Sequence, residues 1–329
     1  MGAKAREARK INGWMLVDKP AGISAAAVVA KVKRALMPSK IGHAGTLDPF
    51  ATGLLPLALG NATKTVPFLM QDEKSYEFTI NWEYATDSLD KDGQQQQIST
   101  LPPPSLAEIE AVLPKFLGRI TQTPPAFSAL KINGKRAYAL ARAGTPVIPQ
   151  PREITIYDLW VRQAEHKEGA GAHDFCFVCR CSKGTYIRSL VRDIGAALGR
   201  FCHASSLRRT KIGKFDIADA ILLEAIENIG HKQGHSALEA SALQSLLLQK
   251  GWLLPIESVL DGILAFDLRD DEVVMLKNGR LLSMVRKCDY ERIKGLSQGQ
   301  EILLRDMETQ TLLGWGQYKA GQIKPTKRL

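Results

Sequence analysis

Gly42-His43-Ala44-Gly45-Thr46-Leu47-Asp48-Pro49-Phe50-Ala51-Thr52-Gly53 is a loop dense in glycine, threonine, aspartate and proline. Its physical content is a single carboxylate, Asp48, held between Leu47 and the rigid ring of Pro49, among glycines that let the backbone approach another molecule closely. Taken alone, the commoner reading of such a stretch is a turn in which Asp48 bonds its own backbone. A solitary His43 is likewise more often structural than catalytic. The segments around the loop decide what it is for.

Upstream, Gly13-Trp14-Met15-Leu16-Val17 predicts a short buried strand stopped by Asp18-Lys19-Pro20. Ser24 then caps a helix with Val28, Val29, Val32 and Leu36 at helical spacing. Downstream, residues 74–86 alternate as a strand, with Tyr76, Phe78, Ile80 and Trp82 on one face. Residues 94–104 read as a polar surface loop, Ser105 and Glu108 as a capping box, and Asn133-Gly134 as a hairpin turn. Residues 153–163 and 174–182 predict two strands joined by a mobile connection at 164–173. Helix is predicted over 185–198, strand over 207–215, loop over 227–235 and helix over 237–250.

At 329 residues, with 45% hydrophobic and 24% charged, the chain is long enough for about two domains and too apolar for wholesale disorder. After Pro255 short strands at 263–266, 281–285, 301–304 and 312–318 predict a small β-rich unit, dividing the chain into 1–254 and 255–329. Lys+Arg 44 against Asp+Glu 34 leaves a net charge of +10, which favours a polyanionic partner, nucleic acid before membrane.

Five cysteines are too few and too irregular for a disulfide framework. On a strand Cys179 and Cys181 share one face while Cys176 takes the other, so no metal set converges and no metal is expected. Residues 1–7 lack an apolar signal core. The uncharged run 49–63 is broken by Gly53, Pro56 and Gly60, and is short of the roughly 20 apolar residues a membrane span needs. A soluble cytoplasmic protein is expected.

Near-matches to other chemistries fail on context. Gly295-Leu296-Ser297-Gln298-Gly299 fits a nucleophile elbow, but a strand follows where a helix is required, so it reads as a tight turn. Gly60-Asn61-Ala62-Thr63-Lys64-Thr65 lacks the second glycine of a phosphate loop. Asp87 to Gly93 resembles a calcium loop, yet Ser88 and Ser99 stand at ligand positions, leaving an acidic turn.

Residues 42–53 resemble the GHxGTLDPxATG signature of the TruB family, bacterial synthases that make pseudouridine in the T arm of transfer RNA. Other blocks resemble the same family in the expected order: Gly13 to Gly22, Lys74-Ser75-Tyr76, Pro124 to Lys131 with Gly134 to Tyr138, Cys181 to Arg188, and Leu207-Arg208-Arg209-Thr210. The resemblance spans about residues 12–216. It implies an α/β (α+β) pseudouridine-synthase fold with a mixed, mostly antiparallel bent sheet around a cleft. The remainder resembles a PUA-like RNA-binding barrel in size and position.

The resemblance further implies that Asp48 is the catalytic carboxylate, kept ionised by Arg188, with no cofactor. Whether Asp48 attacks base or sugar, or removes a sugar proton, stays open. His43 would fill the gap left by a flipped nucleotide, Tyr76 would stack on the uracil, and Tyr186 and the Leu207 backbone would contact the uridine. Lys19, Lys64, Lys131, Lys135, Arg136, Arg208 and Arg209 are candidate phosphate contacts. The implied partner is transfer RNA, with no obligate protein partner and a monomer as the default.

Phe50 stands where the family usually has Leu, and the segment Asn81 to Asp87 lacks an expected glycine. The connections at 163–173 and 227–234 are long for the family. Two alternatives compete: a non-catalytic RNA-binding or RNA-folding module, against which the intact Asp48 loop argues, and a synthase of another target such as ribosomal RNA. The insert-type block before Arg136 favours transfer RNA, and no extended basic arm suggests the guide-dependent archaeal and eukaryotic relatives.

Overall fold

In the computed structural model, which describes residues 8–128, 130–132, 134–143, 149–163, 175–232, 239–284 and 286–329, the apolar run at Trp14 forms β1 (Gly13–Lys19). Ser24 caps α1 (Ala25–Leu36) by accepting the Ala27 N–H at 3.1 Å, and Val28, Val32 and Leu36 fall on its buried face. β2 (Ile41–His43) and β3 (Thr52–Leu59) bracket the Asp48 loop, and α2 (Val66–Gln71) follows. The sequence reading had no strand at β3. Its apolar run carries Pro56, which a strand tolerates only where its missing N–H costs no bond.

β4 (Lys74–Asn81) alternates as predicted, with Tyr76, Phe78 and Ile80 buried. It stops earlier than predicted, because Asn81 accepts the Glu83 N–H at 2.9 Å and turns the chain. β5 (Tyr84–Thr86) is therefore separate and pairs with β6 (Gln95–Ile98), a strand inside the segment read as loop. All of β6 is exposed, so no apolar period reveals it.

α3 (Leu106–Val112) carries the predicted capping box. β7 (Gly118–Gln122), the ribbon β8 (Lys131–Ile132) with β9 (Lys135–Arg136), and α4 (Ala137–Arg142) come next. Then come β10 (Arg152–Gln163), β11 (Phe175–Cys181), α5 (Ile187–Ala197) and β12 (His203–Ile212), which starts before the predicted strand. β13 (Phe215–Asp216) and β14 (Ile221–Leu222) are short. α6 (Leu223–Lys232) replaces the start of the loop predicted at 227–235, because Ile226 and Ile229 reach the core one turn apart. α7 (Ala240–Gln249) ends this part. The connection at 164–173, Asn133 and residues 233–238 lie outside the described residues.

These strands form one ten-stranded sheet, in the order β14-β1-β3-β12-β4-β11-β10-β7, with β2 on β3 and β13 on β12. Only β1–β14 and β3–β12 are parallel, so the sheet is mixed and mostly antiparallel. β1 shows why its sequence is apolar throughout: Met15 and Val17 enter the core shared with the helices, while Trp14 and Leu16 enter a second core on the opposite face.

The C-terminal part holds β15 (Ala265–Leu268), α8 (Asp270–Lys277), β16 (Leu282–Ser283), α9 (Lys287–Ile293), β17 (Glu301–Asp306), β18 (Leu312–Lys319) and β19 (Gln322–Arg328). Its five-stranded sheet, β15-β17-β18-β19-β16, has its own core around Phe266, Leu268, Ile302, Leu304 and Ile323. The two short helices were not predicted, being about two turns each among charged residues. Residues 295–299 are the predicted turn, Gln300 N–H donating back to the Ser297 carbonyl at 3.1 Å before β17 begins. Among the described residues no helix is long and apolar enough to cross a membrane.

Candidate active site

The sheet order makes the site. β3, β12 and β4 are neighbours, so the loop before β3, Arg209 on β12 and Tyr76 on β4 converge. Asp48 sits on that loop with its side chain a third exposed, while Leu47 and Phe50 on either side are buried anchors. The Asp48 carbonyl accepts the Ala51 N–H at 3.1 Å, closing a turn. The Pro49 carbonyl accepts from Gly22 N–H at 2.9 Å and from Lys19 Nζ at 3.2 Å. The turn is made by backbone alone, with no bond from the Asp48 side chain to its own backbone, and the carboxylate is left partly exposed beside Arg188.

Arg188, at the start of α5 and only 4% exposed, brings its Nε to 2.9 Å from Asp48 Oδ2. The approach is an ion pair without the alignment of a hydrogen bond. The remaining nitrogens are taken: Nη1 lies 3.2 Å from Asp90 Oδ2 and donates to the Ser88 carbonyl at 2.6 Å, and Nη2 donates to the Phe127 carbonyl at 2.9 Å. Asp90 is buried, and burial pushes its carboxyl upward against the opposing pull of Ser88 and Arg188. Read from sequence as part of an acidic turn, Asp90 is thus joined to Asp48 through one guanidinium.

Tyr76 is buried, and burial raises its phenol to about 12, so it stays protonated at neutral pH. Tyr186 is half-buried at the N-terminus of α5, its backbone clamped by Gln122: Tyr186 N–H donates to Oε1 at 2.8 Å, and Nε2 donates to the Tyr186 carbonyl at 3.1 Å. The Arg152 guanidinium lies 4.9 Å from the Tyr186 ring centre. His43 is held below its ordinary value by burial and by Arg209, and its buried Nδ1 has no hydrogen-bond partner among the described residues. Leu207 is buried on β12 opposite Phe78.

The profile described as TruB family pseudouridylate synthase (N terminal domain) matches residues 33–187, and that of the tRNA pseudouridylate synthase B C-terminal domain matches residues 188–261. A tRNA pseudouridine synthase B of Caulobacter sp. (strain K31) is 38% identical over 328 residues, covering 99% of this chain and 98% of the relative. The chain belongs to the TruB family. A synthase of the same name from Dinoroseobacter shibae is 40% identical over 324 residues, covering 98% of this chain and 97% of its own. Among solved structures, the archaeal box H/ACA sRNP Nop10-Cbf5 complex matches with a TM-score of 0.66 at 22% identity, over 97% of this chain and 86% of that one. That last likeness speaks for the fold.

Of the cations read as phosphate contacts in this TruB-family chain, Lys19 and Arg209 are corrected. Lys19 is fully buried and donates to the carbonyls of Pro20 at 2.8 Å, Ile23 at 2.7 Å and Pro49 at 3.2 Å. Arg209 is 1% exposed and holds the carbonyls of Leu54, Gly45 and Thr46. Both are held inside by backbone carbonyls that converge on them, a demand that charge counting does not register. Arg208 is partly exposed but forms a bidentate pair with Asp18 at 3.1 and 2.7 Å. Lys64 donates to the Arg328 carbonyl at 2.8 Å, and burial together with Lys40 and Lys327 lowers its affinity for a proton. The side chains of Lys131, Lys135 and Arg136 lie outside the described residues. Sequence reading missed Asp90, Gln122 and Arg152, whose polar side chains carry no motif of their own.

Proposed function

We propose that this chain isomerises a uridine in the T arm of transfer RNA to pseudouridine, with Asp48 as the catalytic carboxylate. The observation that carries the reading is the partly exposed Asp48 carboxylate, braced from behind by the buried Arg188 at 2.9 Å. The reaction breaks the C1′–N1 bond, turns the base and rejoins it through C5. Every atom but a proton stays on the nucleotide, so the chemistry calls for an anionic group beside the ribose and for no cofactor.

The uridine must leave the RNA stack to reach Asp48. Tyr76 stacks on the extruded uracil, a contact worth roughly 1–3 kcal/mol. His43, neutral in its buried setting, takes the vacated place, and Tyr186 with the Leu207 backbone completes the uridine pocket. Residues 1–254 do the chemistry. Residues 255–329, a PUA-like unit, add affinity, with Lys64 at the seam facing phosphate beside Lys40 and Lys327. The protein acts as a cytoplasmic monomer without an obligate protein partner.

The test is to map pseudouridine in unmodified transfer RNA incubated with the purified protein and no added cofactor. One new pseudouridine in the T arm is expected, and an isolated T-arm stem-loop should compete for it. Binding without any base conversion would instead favour a non-catalytic RNA-binding module.

A further inference from the structure

Arg209 stands directly opposite Tyr76 in the antiparallel ladder of β12 and β4, so the two side chains share one face of the sheet. Both are buried, and burial pushes the Tyr76 phenol upward while the Arg209 charge draws it downward. The hydrogen bonds of Arg209 go to backbone: Nε donates to Leu54 O at 2.9 Å, Nη2 to Gly45 O at 3.0 Å and Nη1 to Thr46 O at 3.3 Å. Gly45 and Thr46 belong to the loop that carries Asp48. One planar group therefore touches the catalytic loop, the strand that follows it and the tyrosine.

Two glycines of the loop make room for Arg209, Gly45 for its guanidinium and Gly53 for its backbone. Gly45 has φ +89°, and a Cβ there would come 3.3 Å from Arg209 Nη1. Gly53 has φ +102°, and a Cβ there would stand 2.3 Å from the Arg209 carbonyl, closer than atoms pack. Among the described residues Arg209 forms no direct ion pair with a carboxylate; its hydrogen bonds go to carbonyls, and the Tyr76 phenol and the charge of Asp48 offset part of the cost of burying it. A lysine, a point charge on a flexible stem, cannot span the same set.

We propose that Arg209 is a positioning residue, fixing the Tyr76 ring relative to the loop that holds Asp48. The inference rests on the reading of this site as a pseudouridine synthase. It sets the spacing between the uracil plane and the carboxylate, where a small misplacement costs rate rather than affinity.

The experiment is a double-mutant cycle of Arg209→Lys and Tyr76→Phe, read by single-turnover pseudouridine formation and by transfer-RNA affinity. Arg209→Lys should slow turnover about tenfold or more while leaving affinity within about threefold. In the double variant the two losses should fall short of their product by at least about fivefold, because each removes the same contact. Losses that multiply, or a lost affinity with normal turnover, overturn the proposal. If Arg209→Lys does not fold, Gly45→Ala takes its place in the cycle, since it crowds the guanidinium without removing it. Wild-type protein that makes no pseudouridine refutes the underlying function, whereas an active wild type with multiplicative losses refutes only the role of Arg209.

Discussion

Asp48 and Asp90 share one guanidinium: Arg188 brings its Nε to 2.9 Å from the first and its Nη1 to 3.2 Å from the second. Asp90 is itself fixed by the Ser88 hydroxyl at 2.7 Å and the Asp92 N–H at 3.1 Å. The orientation of Arg188 against Asp48 is thus set from a different part of the chain. Asp90→Ala should slow single-turnover pseudouridine formation by about 10²-fold, through misplacement of Arg188. Transfer-RNA affinity should hold, because Asp90 is buried. A rate within about twofold of wild type would show that the Ser88 and Phe127 carbonyls suffice to hold Arg188.

Asp48→Asn should abolish product formation while leaving the melting temperature and transfer-RNA binding close to wild type. The replacement keeps size and hydrogen-bonding shape and removes only the charge. Tyr76→Leu should be nearly as damaging to turnover, through lost stacking and positioning. Were Tyr76 purely a core residue, its loss would appear as a lowered melting temperature with turnover intact.

The fold was legible where local pattern and burial agree. β1, α1, β4 and the Ser105 capping box each carry an apolar period or a cap that survives in the structure. β6 and the two helices of the C-terminal part were not, because exposed or charged residues in short elements leave no period to read. In the site, Asp48 and Arg188, from two blocks that resemble a family, pair at 2.9 Å, while Tyr76 lies opposite Arg209 on the adjoining strand. Lys19 and Arg209 were placed on the surface by their charge. What fixes them is three-dimensional: carbonyls of residues 20, 23 and 49 converge on the one, and of 45, 46 and 54 on the other.

Burial lowers Lys19 from 10.5 to about 8, with Asp48 opposing the shift and Arg209 adding to it. As an ammonium it has three donors for three carbonyls; as a neutral amine it has two. Turnover should therefore fall as pH rises through about 8, when the Pro49 carbonyl beside Asp48 loses this donor. The sign for stability is opposite. Between about 8 and 10.5 the unfolded chain holds a proton that the folded one has released, so Lys19 adds stability as pH rises. Activity lost while the denaturation midpoint holds or rises is the expected pair of results, and Lys19→Met should abolish the stability increment. Parallel loss of both would point to alkaline unfolding instead.

The C-terminal sheet should supply affinity and not chemistry, since Asp48, Tyr76, Tyr186, Arg188 and Arg209 all lie in the ten-stranded sheet, its loops or the start of α5. Where the chain is cut matters. Trp14 and Leu254 exchange backbone hydrogen bonds at 2.9 and 2.7 Å, and Leu253 is buried in the main core. A truncation near residue 251 would strip a partner from β1, so the chain should be ended after Pro255. That cut still breaks the seam formed by Lys64 on the Arg328 carbonyl and by Phe68 against Trp315, whose ring centres are 5.3 Å apart. The exposed Phe68 will cost some solubility. The shortened protein should bind transfer RNA more weakly and lose binding less steeply with salt, each lost phosphate contact flattening the log–log slope by about 0.9 or less. At saturating enzyme it should still turn over near the full-length rate, because binding spread equally over substrate and transition state leaves the chemical step unchanged. A folded truncation that binds normally and makes no pseudouridine would place part of the chemistry beyond Pro255.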